Sequence, residues 1–199
     1  MMLVEQTTVP GAALPVAEFK DHLRLGTGFA DDGVQDEVLE AYLRAAVAAV
    51  EARTGKALIT RSFAWTLTAW RDLARQVLPV APVSAITGLA IVDRLGGEEV
   101  IAPARYGLER DTHRPALVAA GLNLPVIPVG GSAVIAFDAG FGAGWSAVPS
   151  DLAQAVLMLA AHLYENRGSG SGADGAVPGA VQTLLGRWRN VRLFGGGAA

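Results

Sequence analysis

The spacing of apolar positions changes along this chain, and each spacing predicts a different element. From Val148 to Arg167 (VPSDLAQAVLMLAAHLYENR), Leu152, Val156, Leu159 and Leu163 recur every three or four residues, the stripe of an α-helix. Ala153, Ala155, Leu157, Met158, Ala160 and Ala161 fill most of the remaining circumference, which predicts a buried central helix with the rest of the chain packed around it. Pro149, Ser150 and Asp151 suit its N-terminus and Gly168 its end, with the polar Glu165, Asn166 and Arg167 in the last turn near a surface. A second stripe, Val38, Leu39, Tyr42, Leu43, Ala46, Val47 and Val50, predicts a long helix capped by Asp31 or Asp32 and ended by Gly55. Val16, Phe19 and Leu23 mark a short helix within Pro15 to Leu25, ended by Gly26.

Between the two long helices the period falls to two. Phe63, Trp65 and Leu67 alternate with small polar residues, the pattern of a strand with one buried face. Short strands are expected at Val83 to Ile86, Leu89 to Val92, Val100 to Ile101, Tyr106 to Glu109, Ala116 to Val118 and Ala133 to Phe137, with a hairpin tip at Leu95-Gly96-Gly97. No helices alternate with these strands, so the pattern predicts an α+β fold: an α-helical bundle core, about 15–56 and 148–167, with an inserted antiparallel β-sheet or small barrel at about 58–140. Residues 11–167 form one domain on this reading. The first ten residues, polar and without period, are expected to be a mobile arm. Gly168 to Gly179 has the composition of a flexible linker, followed by a C-terminal arm, 168–199 in all. In that arm Val181, Leu184, Leu185 and Trp188 predict a short amphipathic helix, continued by Val191, Leu193 and Phe194. Such a segment needs a partner, either its own domain or another chain.

Composition narrows the class. A chain of 199 residues buries a core without staples, and the absence of cysteine excludes disulfides and cysteine-ligated metals. Hydrophobic residues reach 51%, yet no apolar run approaches the ~18 residues of a membrane span. The start, MMLVEQTTVPGAALP, lacks the pattern of a signal peptide. A net charge of −3 argues against nucleic-acid binding by bulk electrostatics. Charge is unevenly placed: Asp31, Asp32, Asp36, Glu37, Glu40 and Glu51 face only Arg44 in that stretch, whereas Arg187, Arg189 and Arg192 follow the last acidic residue, Asp174. Two such faces suit solvent or neighbouring subunits.

No catalytic constellation emerges. Asp138 to Gly144 (DAGFGAG) approaches a G-x-G-x-x-G phosphate loop, but Trp145 stands where the third glycine belongs and no βαβ unit surrounds it. Gly144-Trp145-Ser146-Ala147-Val148 lacks the second glycine of a nucleophile elbow, and Gly55-Lys56 lacks the rest of a P-loop. His22, His113 and His162 are scattered, and His162 with Glu165 reads as a hydrogen-bonded helix-end pair rather than a metal site. Four tryptophans near arginines are a pattern that base stacking also uses, but Lys occurs only at positions 20 and 56, a bias of genome composition rather than a nucleic-acid surface, and Trp65 is expected in the core. Neither metal nor cofactor is expected. A ligand-binding or enzymatic domain using the glycine-rich loop 140–144 is the alternative function, and a DNA-binding packaging factor a third.

The order of the pieces carries a resemblance. Phe19-Lys20-Asp21-His22-Leu23-Arg24, the helix ending Val50-Glu51-Ala52-Arg53-Thr54-Gly55-Lys56, the Trp65 to Trp70 strand, Pro79-Val80-Ala81-Pro82-Val83, Phe137 to Gly142, and Pro149-Ser150-Asp151-Leu152 to Leu163-Tyr164-Glu165-Asn166-Arg167 together resemble the head-tail connector, or adaptor, family of tailed bacteriophages and phage-derived gene transfer agents. The resemblance spans roughly residues 15–167. It implies a structural protein that forms a ring, typically of twelve subunits, beneath the portal of a DNA-filled head, in the particle neck and assembled in the bacterial cytoplasm. It further implies a portal on one side, a tail-side connector or stopper on the other, and DNA passing through the channel without sequence-specific binding. By analogy with members whose C-terminal tail docks on the portal, Arg187, Trp188, Arg189, Val191, Leu193 and Phe194 are the expected portal contacts.

Overall fold

The computed structural model describes residues 1–25, 35–167 and 177–189. Asp31 and Asp32, most of the glycine-rich linker, and Val191, Leu193 and Phe194 lie outside the described residues. The fold is mixed α/β, with four α-helices and two antiparallel sheets among the described residues.

The helices are α1 (Val16–His22), α2 (Asp36–Thr54), α3 (Ser150–Glu165) and α4 (Gly179–Leu185). As the sequence predicts, α3 is central: it packs against all three others, burying Leu152, Ala155, Val156, Leu159, Ala160 and Ala161. α2 contributes Leu39, Leu43, Ala46, Val47 and Val50 to the same hydrophobic cluster, and α1 contributes Phe19. α2 stops at Gly55, whose φ of 66° is the left-handed conformation that glycine adopts without penalty. Lys20 and Asp36 form an ion pair between α1 and α2.

The strands are β1 (Met2–Glu5), β2 (Arg61–Leu67), β3 (Arg75–Val77), β4 (Val83–Val92), β5 (Glu98–Val100), β6 (Tyr106–Glu109), β7 (Ala116–Ala119) and β8 (Ser132–Ala139). One sheet runs β1-β2-β8-β4-β5 and the other β3-β7-β6. Phe63, Trp65, Ile135 and Phe137 on the inner face of the first share a core with Leu117 of the second. Phe63 and Phe137, directly paired across the sheet, stack with ring centroids 5.6 Å apart.

Three expectations change. The first residues are not a free arm: Met2–Glu5 pairs in register with Phe63–Thr66, and Val9 is buried, its carbonyl accepting from Arg44 Nη1 at 2.9 Å. Four extended residues suffice when a formed strand supplies every hydrogen-bond partner on one side. The two strands expected around Ile86 are one, β4, with register shifts between Val83 and Ala85 and between Ile86 and Gly88. β3 has too few residues to show a period. The hairpin tip is where expected, closed by Asp93 Oδ1, which accepts from the backbone N–H groups of Leu95 and Gly97 at 2.7 and 2.9 Å.

The helical and β cores meet where α2 leads into β2. Leu58 and Ile59 lie in the helical cluster and Ala57 in the other. Glu51 takes the Leu58 N–H on Oε1 and Arg61 Nη2 on Oε2, each at 2.7 Å. Burial pushes the Glu51 carboxyl above its ordinary range, partly opposed by the Leu58 and Arg61 contacts.

Candidate docking site at the C-terminal segment

Residues 177–189 return to the helical core. Pro178 precedes α4, which buries Val181 and Leu185, and a 3-10 turn over Gly186–Trp188 then drives Trp188 inward. Trp188 is 6% exposed. Its indole Nε1 donates to Asp151 Oδ2 at 2.7 Å, and its ring meets Phe141 edge-on at 5.5 Å and His113 at 5.9 Å. Arg187 Nε reaches the same Asp151 oxygen at 2.7 Å, and its guanidinium lies 4.7 Å from the centre of the indole. Asp151 sits in the first turn of α3, where negative charge is favoured, so one carboxylate serves the helix and holds the C-terminal segment.

This places the six expected contact residues unequally. Trp188 is an internal anchor, Arg187 is anchored at Asp151 with its side chain mostly exposed, and Arg189 lines a shallow depression with Arg53, Val177, Gln182 and Leu185. Of the two partners that the sequence left open for this segment, residues 177–189 take their own domain. The sequence showed Asp151 only as a helix-start residue. Its pairing with Trp188 spans 37 positions and has no local signal.

A shallow cleft beside the anchor is lined by Asp111, Thr112, His113, Arg187 and Trp188. Asp111 Oδ1 accepts the backbone N–H groups of Arg114 and His113 at 2.6 and 2.7 Å, which hold its carboxyl below the ordinary range. Those bonds close a turn and leave no arrangement of nucleophile and base.

The glycine-rich loop has a structural role. Gly140, at φ +143°, lies so near the chain that a Cβ would meet the Thr60 backbone at 2.4 Å. Its N–H donates to Pro82 O at 2.9 Å, that of Phe141 to Leu58 O at 3.2 Å, and Gly142 O accepts from Thr60 N at 2.8 Å. The Gly140 and Phe141 donors are thus committed within the fold and are not free to cradle a phosphate. The glycines let the loop run against the 58–60 segment as the chain turns from β8 to α3. At the far end of α3, His162 Nδ1 lies 3.0 Å from Asn166 Nδ2. Among the described residues no cluster of His, Cys, Asp or Glu fits a metal, and no helix is long and apolar enough to cross a membrane.

The described residues form a mixed α/β body whose C-terminal segment is pinned to its central helix. No protein-family model matches the sequence, nor does any curated protein. Solved structures do match. A chain in the neck of an empty gene transfer agent particle, computed with C6 symmetry, is 57% identical, with a TM-score of 0.89 over 98% of this chain and 99% of that one. A chain in the virion of a native gene transfer agent particle is 57% identical (TM-score 0.87), and one in a native neck computed with C12 symmetry is 52% identical (TM-score 0.84), each with the same coverage. The chain belongs to the head-tail adaptor family of gene transfer agent necks.

Proposed function

We propose that this protein is a structural subunit of the neck of a phage-like gene transfer agent particle, one copy in a symmetric ring, and not an enzyme. The observation that carries this is 57% identity to a neck chain over essentially the whole length of both. The ring joins the portal of a DNA-filled head to a tail-side connector or stopper, has twelve copies, and is assembled in the bacterial cytoplasm. The C12 symmetry of the related neck supports the copy number. DNA passes through the channel without sequence-specific binding, in keeping with the net charge of −3. The portal-facing end runs through Arg187, Trp188, Arg189, Val191, Leu193 and Phe194. Trp188 anchors the described part of this segment at Asp151, and the basic and apolar residues around and after it make the contact.

The test is capture of this chain by purified portal protein, full length and truncated after Arg167, with imaging of the product. Rings on the portal with the full chain and none with the truncated one are expected. Equal binding by both removes the C-terminal segment from the contact, and no binding by either overturns the adaptor role.

A further inference from the structure

Among the described residues the large exposed hydrophobic side chains include Met2, Leu3, Val4 and Val100 on the two edge strands of the five-stranded sheet, with Met1 just before the first; Val38 lies on α2, and Leu73, Leu95, Leu122, Val126 and Val129 lie in loops. The sheet register shows what joins the two edges. Met2 pairs with Thr66, Thr66 with Val134, Val134 with Ala90, and Ala90 with Val100, so one row on the outer face crosses all five strands. The adjacent row is Val4, Ala64, Ala136 and Gly88. Neither row carries a charge, and Thr66 supplies their one polar side chain.

Antiparallel sheets that face water show polar residues on that face, because the apolar ones point inward. Here Met2 is 60% and Val100 74% exposed, and Met2, Val4, Ala64, Val134, Ala136 and Val100 belong to neither hydrophobic cluster. Polar groups border the band, with Ser62 bonded to Asp138 at 2.7 Å on one side and Ser132 and Glu98 flanking Val92 on the other. An apolar centre with a polar rim is how a protein contact is built. β1 is an edge strand with no charged side chain before Glu5, an edge that a free monomer would be expected to guard.

We propose that this outer face is a subunit contact of the ring, covered by a second copy of this chain. The inference rests on the ring reading above. A closed ring needs each copy to meet an identical neighbour through two different patches, a heterologous contact. The outer face is the uncharged apolar surface that regular elements of the β unit present, and its lack of charge suits neither DNA nor a charged partner. A different uncharged stripe on α2 (Val38, Ala41, Ala45, Ala48 and Ala52, all exposed) gives the chain a second, non-identical apolar patch, as such closure requires. Five strands about 4.8 Å apart make the band about 20 Å long, a length that fits the centre of the about 800 Å² per partner that a stable contact usually buries.

The test places a diazirine amino acid at position 134 in particles whose sole copy of this protein carries it. Irradiation is expected to yield a covalent product of two copies, twice 20.6 kDa. An adduct with a different particle protein, or none, overturns the proposal while leaving the neck reading intact. Absence of the chain from purified particles overturns both. In parallel, Val134→Lys and Ala136→Glu, half-buried on the outer face and outside both hydrophobic clusters, are expected to keep the melting temperature within a few degrees and to lower incorporation into particles more than tenfold. Leu122→Lys, on a loop, keeps incorporation. Full incorporation of the sheet variants overturns the proposal.

Discussion

Replacing Trp188 with alanine should release the C-terminal segment from the core without unfolding the core. A buried Trp removes about 150–250 Å² from water, which at about 25 cal/mol per Å² amounts to about 4–6 kcal/mol, an upper bound because unfolded chains already bury some surface. Large aromatic-to-alanine changes cost about 3–5 kcal/mol, and the lost bond to Asp151 adds little because Arg187 still satisfies that carboxylate. About 3–4 kcal/mol is therefore expected, more than 100-fold in the opening equilibrium. α4 has only seven residues and does not stand alone, so the loss falls on the whole segment. Hydrogen exchange of the Val181 to Leu185 amides in the intact protein should accelerate by that factor, while amides of α3 exchange as before. Unchanged protection in α4 would refute the assignment of Trp188 as the anchor. Trp188→Phe, which keeps most of the ring contact, should cost only about 1–2 kcal/mol.

Other substitutions test the junction and the loop. Glu51→Gln probes a carboxyl raised above its ordinary 4.5 by burial. The folded form binds its proton more tightly than the unfolded one, so this site favours folding most at low pH and loses that contribution as pH rises above 4.5 through the raised value. The stability of the natural chain relative to Glu51→Gln should therefore fall across that window, read by denaturant melts at several pH values. Lys56, 1% exposed with no hydrogen-bond partner for Nζ, is held below 10.5 by burial. Lys56→Met should stabilise by about 1–3 kcal/mol near neutral pH, with the gain shrinking as pH rises toward 10.5. Gly140→Ala should destabilise by more than about 2 kcal/mol, since both its φ and the Thr60 contact forbid a side chain. Added nucleotides should leave the melting temperature of the natural chain unchanged, because the Gly140 and Phe141 amides are already bonded within the fold.

Where local pattern decides structure, the chain was legible. The all-round apolar Val148 to Arg167 stretch has one way to avoid water, and it became the central helix. The alternation at Phe63, Trp65 and Leu67 became β2 with those three side chains inward. Partners distant in sequence were not legible. Met2–Glu5 has no period of its own and is a strand only because β2 offers it an edge. Asp151 announces a helix start, and its bond to Trp188 depends on the linker returning the chain to that spot. The outer-face rows became visible only with register, because Met2, Thr66, Val134, Ala90 and Val100 are unremarkable one by one. The portal contacts rest on the family resemblance, and half of them lie beyond the described residues.

Direct imaging tests most sharply whether this protein forms a ring in the particle neck. Particles made with a density-bearing tag on the only copy of this chain should show the tag repeated around a closed ring between head and tail. Complete, tailed particles that lack the tag, or tag density anywhere but the neck, would contradict it.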